Sequence, residues 1–210
     1  AVVIAESVEH IRQVLIEASR TRTPGTPVVA NTNVGGLAIP ERGGIILDLS
    51  KLNRVLEINE QDLFAVIEPG VTWGQLRDVL RNHPLRFGYA LSPPDSSVLA
   101  NFLLDGLTNL SLRHGSTSDW INGVEAVLST GEVVRTGSAA FGAPWCTHSP
   151  LPGLTGLFIN LHGTTGIVTK MSVQVWPSRK LRRRYFLPCR DAARAIGTMI
   201  RLARQELLDD

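Results

Sequence analysis

Five loops of small residues, each beside strand-like sequence, constrain this chain more than any other feature: residues 31–36, 69–71, 92–97, 115–117 and 163–166. Glycine and its small neighbours let the backbone turn tightly, and successive exposed amides then form concavities that hold an anion without a lysine. One such loop is ordinary turn punctuation, so the information lies in their number and order. The known glycine motifs for nucleotides are missing. There is no G-x-G-x-x-G between a strand and a helix and no G-x-x-x-x-G-K-[ST], which disfavours Rossmann and P-loop readings.

The segments between the loops predict an α+β chain. Over residues 5–21, Val8, Ile11, Val14, Leu15 and Ala18 recur at helical spacing behind Ser7, a suitable cap. Pro24-Gly25 ends that helix, and a short strand at 27–30 runs into the first loop. Strands follow at 45–49, 55–58 and 64–68; Thr72 then caps a helix over 73–81 that buries Leu76, Val79 and Leu80. These elements make a first lobe of about residues 1–86. A second lobe, about 87–178, holds a helix at 98–104, strands at 123–128 and 133–136 joined by a turn, and a strand at 167–175 stopped by Trp176-Pro177. A strand at 184–187 and a helix over 191–208 follow. A βα unit cannot cover its own apolar face, so this tail either packs on the lobes or opens a further domain.

Composition removes several function classes. With 43% hydrophobic and 19% charged residues the chain builds a core without staples. A net charge of +2 does not make a nucleic-acid surface, and Arg182-Arg183-Arg184 reads as a solvated strand edge. Cys146 and Cys189 have neither metal-ligand nor C-x-x-C spacing and are read as free thiols, with no metal expected. No apolar stretch approaches the about 20 residues of a membrane span, and Glu, His and Arg within the first twenty residues do not suit a signal peptide. A reducing, cytoplasmic setting is expected, and the sequon at Asn109 is then without meaning.

The strings EPGVTWGQL, GVEAVLSTGEVVRTG and LTGLFINLHGTTGIVTKMSVQVWP resemble the signature series of the vanillyl-alcohol oxidase and p-cresol methylhydroxylase flavoproteins, over roughly residues 5–178. The resemblance implies a two-lobed FAD-binding domain of the p-cresol methylhydroxylase type in residues 1–178, with FAD between the lobes. Residues 179–210 would then be the first strand and helix of an incomplete substrate or cap domain. It makes residues 31–36 (Asn31, Thr32, Asn33, Val34, Gly35, Gly36) the diphosphate loop, with main-chain donors from Asn33 onward. Pro69, Gly70 and Val71 would pass beside the adenosine half. Pro94, Asp95, Ser96, Ser97 and Asn101 would form a second FAD loop, in which hydroxyls and a helix start face phosphate. His114, Gly115 and Ser116 would pack beside the flavin ring, and Gly163, Gly166, Ile167 and Val168 would contact adenine and ribose, with Gly166 allowing close backbone approach.

The first loop contains neither His nor Cys, so FAD is expected to bind noncovalently. His114 is the strongest proton-transfer candidate but is read as a structural hydrogen-bonding group, with His148 and His162 below it; no catalytic residue is assigned. The implied activity is oxidation of a small alcohol, hydroxy acid or phenol by hydride transfer to FAD. The alternative is a flavin-binding or electron-transfer subunit without substrate chemistry of its own. A small-molecule substrate and a homo-oligomer or partner subunit are expected, and residues 1–210 by themselves are expected to bind flavin without turnover.

Overall fold

The first residues build a parallel sheet around the amphipathic helix. β1 (Val2–Ile4) leads into α1 (Val8–Thr21), then β2 (Gly25–Val28) and β3 (Ile45–Asp48), which pair in the order β1-β3-β2, all parallel. Ser7 caps α1 by accepting from the His10 amide at 3.2 Å, and Ile11 and Ala18 are its buried residues. Arg22, left-handed at φ 52°, closes the C-terminus through its amide on the Ala18 and Ser19 carbonyls, a position that usually takes glycine. β1 has no sequence forecast. Val2, Val3 and Ile4 are too few to show a period, and they become a strand only because β3 offers a parallel edge. This computed structural model describes residues 1–90, 92–149, 151–181, 183 and 185–205.

The rest of the chain makes β4 (Val55–Asn59), β5 (Phe64–Ile67), α2 (Trp73–Leu80), β6 (Leu85–Arg86), α3 (Val98–Leu103), α4 (Ser111–His114), β7 (Ile121–Val127), β8 (Val133–Arg135), β9 (Ile167–Gln174), β10 (Trp176–Pro177) and α5 (Ala192–Ala203). Five strands form an antiparallel sheet in the order β4-β5-β9-β7-β8. Every residue of β5 and β7 is buried, as expected of strands covered on both faces. α2 and α3 lay Trp73, Leu76, Leu80, Val98 and Phe102 into the main core, where Trp73, Phe87, Phe102 and Trp120 stack or meet edge to face. Val127 and Ile167, at the ends of β7 and β9, belong instead to the core of the first sheet, with Ile11, Leu47, Leu49 and Leu52. These two residues join the layers.

Four sequence expectations change. β4 and β5 pair within the large sheet, so strand pairing divides the chain between β3 and β4 and not at residue 86. The helix at 73–81 buries Trp73 where Val79 was expected; Val79 is half-buried. Trp176-Pro177 does not simply stop a strand but pairs antiparallel with Leu85–Arg86, using the carbonyl side that proline leaves available. In the tail, Tyr185, Phe186 and Leu187 form no strand and are exposed, Arg183 is exposed, and 182, 184 and 206–210 lie outside the described residues. α5 is capped by Asp191 and buries none of its residues. Among the described residues no helix is long and apolar enough to cross a membrane.

Candidate functional site

A cleft of about 500 Å³ opens between the two sheets, within the usual range of small-molecule sites. One wall is β2 and the chain that leaves it; the opposite wall is the start and face of α3; the floor is the entry to β9. It gathers Asn31, Thr32, Asn33 and Val34, then Ser96, Ser97 and Asn101, then Gly163, Gly166, Ile167 and Val168. Three segments far apart in sequence thus meet in one cleft. Gly35, Gly36, Pro69, Gly70, Val71, Pro94, Asp95, His114, Gly115 and Ser116 do not line it.

The first loop is organised from within. Asn31 is left-handed at φ 52°, a conformation asparagine tolerates, and this turns the chain out of β2. Asn33 Oδ1 accepts from the amides of Gly35 at 2.9 Å and Leu37 at 3.1 Å, so the Gly35 donor expected for a diphosphate is held by a side chain instead. Val34 is fully exposed at the tip.

Ser96 and Ser97 are buried, and their hydroxyls donate to main-chain carbonyls: Ser96 to Pro93 and Ser97 to Pro69, each at 2.6 Å. Ser97 Oγ also accepts from the Ala100 amide at 3.1 Å and caps α3. The expected phosphate donation is therefore replaced by loop closure. Pro69-Gly70-Val71 is the other side of that closure. A Cβ on Gly70 would stand 2.5 Å from the Ser50 carbonyl oxygen, and Val71 is fully buried, so this turn supports the cleft wall from behind. Pro94 takes the Gly74 amide on its carbonyl and packs on the start of α2, which draws it and Asp95 away from the opening.

His114 lies elsewhere. Its ring sits 4.8 Å from that of Trp176, its carbonyl accepts from Trp120 Nε1 at 2.7 Å, and Ser116 forms a capping box with Asp119. His114 thus sits in the aromatic cluster and does not line the cleft. Gly166 lines the cleft, but a Cβ there would meet the Val127 carbonyl oxygen at 2.8 Å and Phe158 at 3.4 Å. Its smallness serves packing of β9 on β7, which corrects the expectation that it clears space for a ligand.

The described lining holds no Asp, Glu, Lys or Arg; His162 is its one titratable side chain. Sequence reasoning weighed His162 only as a proton carrier below His114 and did not place it at the cofactor, and it passed over Phe158 and Leu99; the adjacency of His162 to Gly163 was the signal available. Asn101 Oδ1 is buried without a hydrogen-bond partner, packed against Gly106. A buried acceptor left so costs about 1–3 kcal/mol. Aliphatic walls of Val28, Leu99, Ile167 and Val168 and small-residue loops fit FAD.

Comparison with known proteins agrees on the family and on FAD. The family profile described as FAD binding domain matches residues 1–137. Glycolate oxidase subunit GlcD of Bacillus subtilis is 30% identical over 87% of this chain and 38% of its own length. The 4-cresol dehydrogenase [hydroxylating] flavoprotein subunit of Pseudomonas putida is 30% identical over 84% of this chain and 35% of its own. Among solved structures, p-cresol methylhydroxylase with substrate bound superposes with a TM-score of 0.76 at 29% identity, covering 86% of this chain and 36% of that one. The 4-ethylphenol oxidase of Gulosibacter chungangensis gives 0.76 at 31% identity over 86% and 35%. The chain spans little more than a third of the length of these relatives. With the cleft, its loops and this agreement together, the chain belongs to the FAD binding domain family, in the p-cresol methylhydroxylase group of FAD-linked oxidases.

Proposed function

We propose that the chain holds FAD noncovalently between its two sheets and serves an oxidoreductase that moves hydride from a small alcohol, hydroxy acid or phenol to the flavin. The observation that carries this reading is the convergence of three distant small-residue segments on one cleft without fixed charge. When bound, flavin supplies the two-electron chemistry, and the protein positions and tunes it. This chain's residues do the holding. Asn33 fixes the first loop, Ser97 locks α3 to the Pro69 turn, and Phe158 with Ile167 keeps water from the floor. Relatives named for glycolate, D-lactate and 4-cresol support the substrate class.

Noncovalent binding is supported by a first loop without His or Cys, and by two free thiols that do not line the cleft. Those thiols also favour a reducing, cytoplasmic setting. We assign residues 1–178 to flavin holding and 179–210 to the opening of a substrate-covering unit. The exposed Ile196, Met199 and Ile200 on α5 support that division and the association with a partner subunit or second copy.

The purified protein should titrate with FAD to saturation, quenching flavin fluorescence, and acid precipitation should leave the flavin in the supernatant. No quenching at saturating FAD removes the binding reading; colour retained in the pellet removes the noncovalent one. Anaerobic bleaching of the full-length protein by a panel of hydroxy acids and aryl alcohols tests the substrate class.

A further inference from the structure

His162 sits in a tight turn that lines the cleft. The Leu161 carbonyl accepts from the Thr164 amide at 2.9 Å and from Thr164 Oγ1 at 2.7 Å, closing a turn whose central residues, His162 and Gly163, have φ of 51° and 82°. Two left-handed central residues define a type I′ turn, for which asparagine, aspartate or glycine is the usual first central residue. Histidine tolerates this region better than most residues, so the turn presents an imidazole where asparagine, aspartate or glycine is more usual.

The surroundings suggest a use for it. His162 is exposed at the cleft and is the only described lining residue able to carry charge. β2, residues 29–38, α3 and residues 153–161 contribute no charged side chain. Charge in the flanking chain is placed otherwise: Arg22 lines an adjoining hollow, Glu41 and Arg42 lie beyond the first loop, Asp105 is engaged by Ser118, and Glu125 pairs with Lys170. FAD carries two negative charges on its diphosphate. One expected main-chain donor for that group, the Gly35 amide, is occupied by Asn33, and both hydroxyls of the second loop donate to carbonyls.

We propose that His162 is a cofactor-binding residue whose imidazole N–H pairs with the FAD diphosphate, so that FAD is held more tightly when the ring is protonated. This rests on the FAD reading above and deepens it. Imidazoles ordinarily gain charge between about pH 8 and about pH 5, whereas a diphosphate diester keeps both charges throughout that window.

The test is FAD affinity of the wild-type chain and His162→Asn by fluorescence quenching at about pH 6 and about pH 8, with thermal unfolding of both in the absence of flavin. Asparagine suits the left-handed position, so the variant keeps the turn and should melt at or above the wild-type temperature. The wild type should bind several-fold more tightly at the lower pH; the variant should lose about tenfold there, the scale of one charge-assisted hydrogen bond, and show no pH slope. Unchanged affinity and slope in His162→Asn would overturn the inference and leave the FAD reading standing. An equal loss at both pH values would overturn it too, since that marks the turn and not the charge. A wild-type chain that does not bind FAD at either pH takes both readings down.

Discussion

Single side chains in this cleft close loops in preference to reaching outward. Ser97 shows it most clearly: one hydroxyl donates to Pro69 O and accepts from the Ala100 amide while 3% exposed. Replacing Ser97 with alanine removes a helix cap and leaves a buried carbonyl without its donor, each about 1 kcal/mol or more. Ser97→Ala should therefore lower stability by about 2 kcal/mol in urea unfolding and weaken FAD binding through a loosened wall. Loss of affinity without loss of stability would return Ser97 to direct phosphate contact. The same logic governs glycines. Gly166→Val drives a branched side chain against the Val127 carbonyl and should cost about 2–3 kcal/mol. Gly153, with nothing within 4 Å of its missing Cβ, is the neutral control. If Gly166→Val melts like Gly153→Ala and loses only FAD affinity, the packing account of Gly166 is wrong.

Among the elements, β7 is the one on which sheet and charge depend together. Glu125, 2% exposed, receives Arg135 from β8 at 2.8 Å, Lys170 from β9 at 2.9 Å and the Thr169 hydroxyl at 3.1 Å. Burial by itself would push this carboxyl up, but hydrogen bonds from Lys170 and Arg135, with the Lys170 charge and Thr169, hold it below its ordinary value. A carboxylate held down in the folded state adds stability above its unfolded value, about pH 4.3, and that stability is lost as pH falls through the lower folded value. Glu125→Gln should cost roughly 2–3 kcal/mol at neutral pH, less than a broken pair in a dry interior because Arg135 and Lys170 retain water. The gap between wild type and variant in urea midpoints should shrink below about pH 4; a constant gap would remove the linkage. β7 and β8 were legible in the sequence because a tight turn separates two apolar runs. α1 and α2 were legible through their caps Ser7 and Thr72, and α5 through the helical spacing of its apolar residues; the caps Ser97 of α3 and Asp191 of α5 emerge only in the structure. β1, β6 and β10 were not, since two or three residues carry no period and exist only by pairing with distant strands. Of the five loops read from the sequence, 31–36, 92–97 and 163–166 contribute to the cleft, while 69–71 and 115–117 do not. Loop order could not give the Asn33 and Ser97 hydrogen bonds that turn expected ligand donors into loop closures.

At the scale of the whole molecule, the joining of layers decides where a ligand is felt. Val127 and Ile167 reach from the large sheet into the core of the small one, while β2 and α3 form walls whose spacing no strand ladder fixes. A ligand seated there contacts both layers and stabilises by linkage about 2.7 kcal/mol at a hundred times its dissociation constant. α5 is in the opposite situation: it buries no residue and presents Ile196, Met199 and Ile200 to solvent, so little burial resists its opening. Amide hydrogen exchange should therefore rank the chain in three tiers. β5, β7 and β9 exchange slowest, with or without flavin. Residues 26–38, 97–104 and 158–168 exchange at intermediate rates without flavin and are strongly slowed by saturating FAD if the cofactor sits in the proposed cleft and bridges the walls they form. α5 exchanges fast in both states, because it touches neither the cleft nor a buried core. Protection confined to one wall would mean that the ligand binds a single layer, and FAD-dependent slowing of α5 would mean that the C-terminal helix folds onto the flavin site instead of standing apart from it.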